Sequence, residues 1–510
     1  MVRHKLILLS GIVPFLSPAF TSCEGAGEEL PNVLFCIADD QSYPYTTYYG
    51  CKEIRTPGFD YVASHGTAFV NAYCTSPGSS PSRASILTGL YPWQIKEAGT
   101  HASSFPSEYT CFPDVLESAG YRIGFTGKGW GPGNWEVSGR SHNPAGPAYN
   151  TIKCTPPTSG ISTIDYSANF ASFLDNTPAD RPFCFWYGAH EPHRPYEEGS
   201  WGNEDYVLED ASVPGFLPDV AEIKGDVLDY EVEISWFDRH LVRCIEELRS
   251  RRMLDNTIII VTADNGMSFP HAKANCYDAG IHVPLAICWG NKVKAEGAQK
   301  ALVSLIDIFP TLLELTGVEW EGSSSLEGES LVPLLGIGYS SYSSQAVFSG
   351  RERHSCARFQ NKGYPMRSVR QGNYLLIRNF HPELWPAGDP VSLDENGQAK
   401  DRLESFFDID AAPSKTYLIE NSEKESFYFN AAVAKRPEYE LFNLANDPDC
   451  MFNVADDTRY SDVLARMMGL LNQKLSETGD SRLGENPEIW ESYPRLEGPM
   501  RSFPNPDKYE

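Results

Sequence analysis

Four short apolar runs, Asn32–Ala38, Phe183–Gly188, Ile258–Thr262 and Val283–Cys288, constrain this chain more than any other feature. Apolar residues in them are continuous rather than alternating, which is the pattern of strands buried on both faces. Helical patterns lie between the runs. In the clearest, Ile234, Phe237, Leu241, Ile245 and Leu248 form one stripe, closed by the basic stretch Arg249–Arg252. Strands alternating with helices predict an α/β domain on a largely parallel sheet, flanked by helices. In such sheets ligands gather beyond the carboxyl ends of the strands, and two of these runs end in acid. One is followed by Asp39-Asp40, the other by Ala263-Asp264-Asn265-Gly266.

Around Gly363 the pattern changes. Ser368–Arg370 and Tyr374–Arg378, joined through Gln371-Gly372-Asn373, read as a hairpin. An irregular stretch from Asn379 to Ala434 follows, then a strand at Tyr439–Asn443 and an amphipathic helix at Ser461–Thr478. The expected organisation is a leader over 1–23, a catalytic domain over 24–365 and a smaller C-terminal α+β subdomain over 366–510. The leader has Arg3 and Lys5 before the apolar run Leu6–Phe20, too short and too Pro-interrupted for a membrane span. Thr21-Ser22-Cys23 also resembles a bacterial lipoprotein cleavage site, which would put a lipid anchor on Cys23. Phe20 departs from the aliphatic residue that such a site has three positions earlier. An exported protein, in the periplasm or on the outer membrane of a bacterium, is the expectation.

With 42 Lys and Arg against 68 Asp and Glu, the net charge is −26. Nonspecific binding to nucleic acid or to anionic membrane is thereby excluded. An anionic substrate is not, but its attraction must come from a local basic pocket. The cysteines show neither CxxC pairs nor zinc spacing, and Cys36, Cys184 and Cys288 lie inside strand-like runs, where buried thiols are expected.

The run Ser79-Ser80-Pro81-Ser82-Arg83 places a small hydroxyl side chain at a helix start, with Arg83 about one turn on. Pro81 suits a first helical turn; Ala84–Thr88 reads as helix, ended by Gly89 and Pro92. The free N–H groups of such a helix start favour an anion. Two acidic strand ends, Asp39-Asp40 and Asp264-Asn265, supply only hard oxygen ligands, which suit Ca²⁺ or Mg²⁺ rather than zinc.

Taken in order, Asp39-Asp40, Ser79-x-Pro-Ser-Arg83 with Thr88-Gly89, Gly127-Lys128, His190-Glu-Pro-His193 and Asp264-Asn265 through Lys273 resemble the type I, formylglycine-dependent sulfatases. The resemblance spans nearly half the chain and implies an alkaline-phosphatase-like fold. It implies that Ser79 is oxidised to formylglycine, and that Asp39, Asp40, Asp264 and Asn265 bind one Ca²⁺ together with the modified residue. It also implies that Arg83, Lys128, His193 and Lys273 surround the sulfate, with His193 or Lys273 protonating the leaving group. A serine in place of cysteine implies maturation by an oxygen-independent radical enzyme. One position departs from the family: many members carry Gly-Lys-x-His, where this chain has Gly127-Lys128-Gly129-Trp130. His101 is the candidate for the missing histidine.

Phe348–His354, Tyr374–Pro390 and Leu444–Pro448 resemble bacterial sulfatases related to heparan N-sulfatase, which makes Glu352, Arg353 and His354 candidates for reading the sugar. The substrate so implied is N-sulfoglucosamine in heparan or heparin. O-sulfates on host or algal polysaccharides are the second reading. A phosphodiesterase or phosphonate hydrolase of the same superfamily is a third, although Asp264-Asn265 in place of Asp-His argues against a two-zinc phosphatase. A non-catalytic glycan-binding relative is the fourth, if Ser79 stays unmodified.

Overall fold

The computed structural model describes residues 29–293, 297–338 and 341–506; the expected leader and Cys23 lie outside them. The central sheet holds β1 (Asn32–Ala38), β2 (Gly66–Tyr73), β3 (Arg122–Gly127), β4 (Phe183–Gly188), β5 (Thr257–Ala263) and β6 (His282–Trp289). The two-residue strands β7 (Ala298–Gln299) and β8 (Val303–Ser304) complete it. Its order is β3-β4-β1-β5-β6-β2-β7, with β8 also paired to β2. Strands β3, β4, β1 and β5 run parallel. Strand β6 is antiparallel to both β5 and β2; its continuous apolar run marks it as buried on both faces but carries no sign of direction.

Every residue of β1, β4, β5 and β6 is buried. The 30-residue helix Ala221–Ser250 packs against the helices Pro57–Ser64 and Tyr166–Asp175. Among the described residues every cysteine is free, and Cys36, Cys184 and Cys288 are buried in their strands, as expected. No helix among them is long and apolar enough to cross a membrane.

A second, antiparallel sheet has the order β12-β11-β10-β9, formed by β9 (Ala346–Arg351), β10 (Met366–Gln371), β11 (Tyr374–Asn379) and β12 (Tyr439–Asn443). The expected hairpin is β10–β11. Because β9 pairs with β10, this layer begins at Ala346, and residue 365 falls in the connection between the two. The helix Ser461–Glu477 lays Met467, Leu471 and Leu475 on this sheet. The stretch read as irregular contains two eight-residue helices, Pro413–Glu420 and Ser426–Val433. Their few buried residues form no long stripe, so periodicity does not reveal them.

Candidate active site

The site lies at the carboxyl ends of β1, β3, β4 and β5. Asp39 and Asp40 follow β1, Lys128 follows β3, His190 and His193 follow β4, and Asp264 and Asn265 follow β5. Two glycines let the β3 and β4 ends touch. A Cβ on Gly127 would stand 1.9 Å from the Gly188 carbonyl oxygen, and one on Gly188 would stand 1.9 Å from that of Lys128. The Lys128 N–H donates to the Gly188 carbonyl at 2.7 Å, which turns its side chain toward Asp39.

Ser79 opens the helix Ser79–Thr88, all ten residues of which are buried. The helix starts at Ser79 itself, with Pro81 in its first turn, and runs on through the expected Ala84–Thr88. Its first N–H groups need no partner inside the helix, so Ser79-Ser80-Pro81 fit the first turn. Ser79 Oγ donates to Asp39 Oδ1 at 2.9 Å and lies 3.5 Å from Asn265 Oδ1. Arg83, one turn on, donates through Nε to Asp264 at 2.7 Å and through one terminal nitrogen to the carbonyls of Lys128 and Gly129. Its other terminal nitrogen is buried without a hydrogen-bond partner, 3.6 Å from Asp39.

Asp39 accepts both contacts of Lys128 Nζ, at 2.8 and 2.6 Å. Burial alone would raise its carboxyl, but Lys128 and Arg83 outweigh that and hold it well below the usual range. Burial pushes Asp264 upward against the pull of Arg83, with Asp39 and Asp40 adding to the rise. Asp40 adopts φ 71°, the left-handed region that a non-glycine residue enters at a cost of about 1–3 kcal/mol. There its N–H donates to Asp264 at 3.0 Å, and its carboxylate accepts from Asn265 at 2.7 Å. Asp39, Asp40 and Asp264 each offer an oxygen within 4.8 Å of the others, all buried. Such a hard-oxygen set, with Asn265 Oδ1 beside Ser79, fits a divalent cation of the Ca²⁺ kind.

Lys273 binds the other side of Asp40. Its ammonium donates to Asp40 Oδ2 at 2.6 Å, to Asp410 Oδ2 at 3.0 Å and to His193 Nε2 at 3.1 Å. The imidazole of His193 meets the Arg194 carbonyl at 2.6 Å through Nδ1, so Nδ1 carries the hydrogen and Nε2 faces Lys273. Burial would weaken the Lys273 ammonium, but Asp40 and Asp410 raise its pKa.

A cleft of about 680 Å³ opens beside Asp39 and Lys128, with Trp130, Trp135, His190, His193 and Glu497 in its walls. Trp130, in place of the family histidine, is buried and donates its indole N–H to the Ser80 carbonyl at 3.0 Å. The rings of His101 and His354 pack with centroids 4.6 Å apart, tilted by 36°. Both stand beside Gly78, where an added Cβ would meet them at 3.9 and 3.3 Å. His101 Nδ1 and His354 Nε2 are buried without partners.

The other two sugar-reading candidates are not brought here. Glu352 accepts from Arg367 and Arg482, each at 2.6 Å, in a buried ion-pair network. Arg353 donates to the Tyr493 carbonyl at 3.0 Å. Neighbours in sequence, residues 352–354 point to three different partners. Asp410 escaped the sequence reading: it lies in a segment without a strand end or a spacing that marks it.

This constellation at the strand ends of a helix-flanked, largely parallel sheet defines a class. The sulfatase family model matches residues 31–318, more than half of the chain, and the chain belongs to that family. A second model, described as N-sulphoglucosamine sulphohydrolase, C-terminal, matches residues 270–386. The chain is 26% identical over 483 residues to N-sulphoglucosamine sulphohydrolase of Homo sapiens, covering 88% of this chain and 90% of that protein. It is 25% identical to N-acetylglucosamine-6-O-sulfatase of Bacteroides thetaiotaomicron, covering 93% and 94%. A solved structure in complex with its substrate D-glucosamine-2-N,6-O-disulfate superposes with a TM-score of 0.63 at 20% identity, covering 90% of this chain and 99% of that one.

Proposed function

We propose that this enzyme removes sulfate from a saccharide, with N-sulfoglucosamine of heparan or heparin the first substrate and a sugar O-sulfate the second. The observation that carries this reading is Ser79 held between Asp39 and Asn265, with an unpartnered Arg83 nitrogen close by. The likeness to N-sulphoglucosamine sulphohydrolase along most of both chains supports the sulfamate. We further propose that Ser79 acts as formylglycine, made by an oxygen-independent radical maturing enzyme, and that Asp39, Asp40, Asp264 and Asn265 hold one Ca²⁺. When bound, that cation would polarise an oxygen on the oxidised residue 79, which is the nucleophile that attack on sulfur needs.

The residues around that oxygen divide the remaining work. Arg83 is fully buried and spends Nε and one terminal nitrogen on Asp264 and two carbonyls, so it holds the carboxylates and leaves its other terminal nitrogen, 3.6 Å from Asp39, for the sulfate. Lys128 borders the cleft and meets the incoming sulfate. Fixed cations of this kind are usually the largest catalytic contribution, because no reorganisation is needed as charge develops. His193 is 37% exposed toward the cleft and Lys273 only 4%, which makes His193 the group that reaches the leaving atom. As the S–N or S–O bond to the sugar breaks, its electron pair takes the hydrogen shared between Lys273 Nζ and His193 Nε2. His101 and His354, with free ring nitrogens beside Gly78, take the place of the histidine absent at Trp130. Trp135, only partly buried, gives the cleft an apolar face for a sugar ring.

Sulfate release from N-sulfated, 6-O-sulfated and 2-O-sulfated glucosamine and uronic-acid disaccharides tests this reading. Release from the N-sulfated sugar, lost on calcium chelation and restored by Ca²⁺, is expected. Release from O-sulfated sugars alone moves the substrate to the second reading; cleavage of phosphodiesters to a phosphomonoester and an alcohol without sulfate release contradicts both.

A further inference from the structure

Lys273 is held by two parts of the chain that sequence places far apart. An ammonium has three N–H donors, and all three are used, on Asp40, His193 and Asp410. The Asp410 contact comes from the C-terminal region. Asp410 is itself 30% exposed and Lys273 4%, so the carboxylate closes the solvent side of the lysine.

The segment carrying Asp410 is fixed independently of Lys273. Asp408, two residues before, is buried and accepts from Arg351 at 2.5 Å and Arg358 at 2.7 Å. It also accepts from the backbone N–H and hydroxyl of Ser355, at 2.9 and 2.8 Å. On the far side, Lys415 donates to the carbonyls of Phe406 at 3.2 Å and Ile409 at 2.9 Å. Asp410 therefore reaches the lysine from a rigid support, which is what a positioning group needs.

We propose that Asp410 is a positioning residue: it fixes the Lys273 ammonium and, through the bond from Lys273 to His193, sets where the imidazole meets the leaving group. The proposal rests on the reading of the hydrogen-bonded His193–Lys273 pair as the proton donor in sulfate hydrolysis. Without the Asp410 carboxylate, the ammonium keeps Asp40 and turns its freed N–H toward water, and the His193 ring loses its fixed neighbour. A misplacement of about 1 Å at such a point costs about 100-fold in rate. An ion pair that merely joined two parts of the fold would alter stability and leave turnover alone.

The test uses the matured full-length protein, its Asp410→Asn variant and its Asp410→Glu variant. Each is assayed on the sulfated saccharide that the wild type hydrolyses best and on 4-nitrophenyl sulfate, whose leaving group departs without a proton. For Asp410→Asn we expect kcat on the saccharide to fall by up to about 100-fold, with KM little changed and a much smaller loss on the aryl sulfate. Asp410→Glu restores part of the saccharide kcat, and melting temperatures stay near that of the wild type. Should the Asn variant not fold, the Glu variant is judged by the same split between substrates. A saccharide kcat equal to wild type, equal losses on both substrates, or a rise in KM alone overturns the role of Asp410. No sulfate release by the wild type from any saccharide overturns the sulfatase reading and this role with it, so the two failures are distinct.

Discussion

Ser79→Ala is expected to abolish sulfate release, by about 10⁴-fold or more, the scale reached when a covalent nucleophile is removed. The fold should barely respond. Ser79 is buried, yet its hydroxyl makes one hydrogen bond of normal length, to Asp39 at 2.9 Å. A single bond of that kind contributes about 0.5–1.5 kcal/mol. Lys128 stays on Asp39 with both contacts, so the carboxylate is not left alone. Activity and stability therefore separate in this variant. Sulfate assay and urea denaturation on the same preparation measure both. Wild-type activity in Ser79→Ala would leave the site without a nucleophile.

Arg83→Ala should lose both together. The guanidinium is completely buried and bonded to Asp264 at 2.7 Å, to the Lys128 carbonyl at 2.8 Å and to that of Gly129 at 3.1 Å. Removing it strands a buried carboxylate already pushed upward by burial. Breaking a buried pair in this way costs about 3–5 kcal/mol. Loss of a preorganised donor costs a further factor of about 10²–10³ in turnover. Arg83→Lys rescues little, because one ammonium cannot reproduce a fork that spans Asp264 and two carbonyls. Retention of stability and of turnover in Arg83→Ala would show that the helix beginning at Ser79 does not depend on this anchor.

Much of the site was legible because strand ends leave a local signature. The runs Asn32–Ala38 and Ile258–Thr262 are continuous and apolar, and each stops at carboxylates, so the acidic pairs fall at the ends of β1 and β5, which pair in register with each other. The spacing from Ser79 to Arg83 is one helical turn, and the side chains do meet one carboxylate cluster. Legibility fails where position depends on distant chain. Asp410 comes to Lys273 across 137 residues through a segment without regular structure. Glu352, Arg353 and His354 are adjacent charges in sequence. Burial sends the first to Arg367 and Arg482, the second to Tyr493 and the third to Asp408 beside His101. Strand β6 was visible as buried, but its antiparallel direction is fixed by the path of the connection. The substitution of Trp130 for histidine was visible too, although not its consequence, an indole bonded to the Ser80 carbonyl at the head of the helix.

The central claim is that residue 79 works as an oxidised serine rather than as a hydroxyl. Mass spectrometry of the peptide containing Ser79, from protein purified out of its native host and active in sulfate release, tests it most directly. The account predicts a peptide lighter by two hydrogens than the encoded one, the aldehyde in place of the alcohol. An active preparation whose residue 79 is unmodified serine throughout would contradict it.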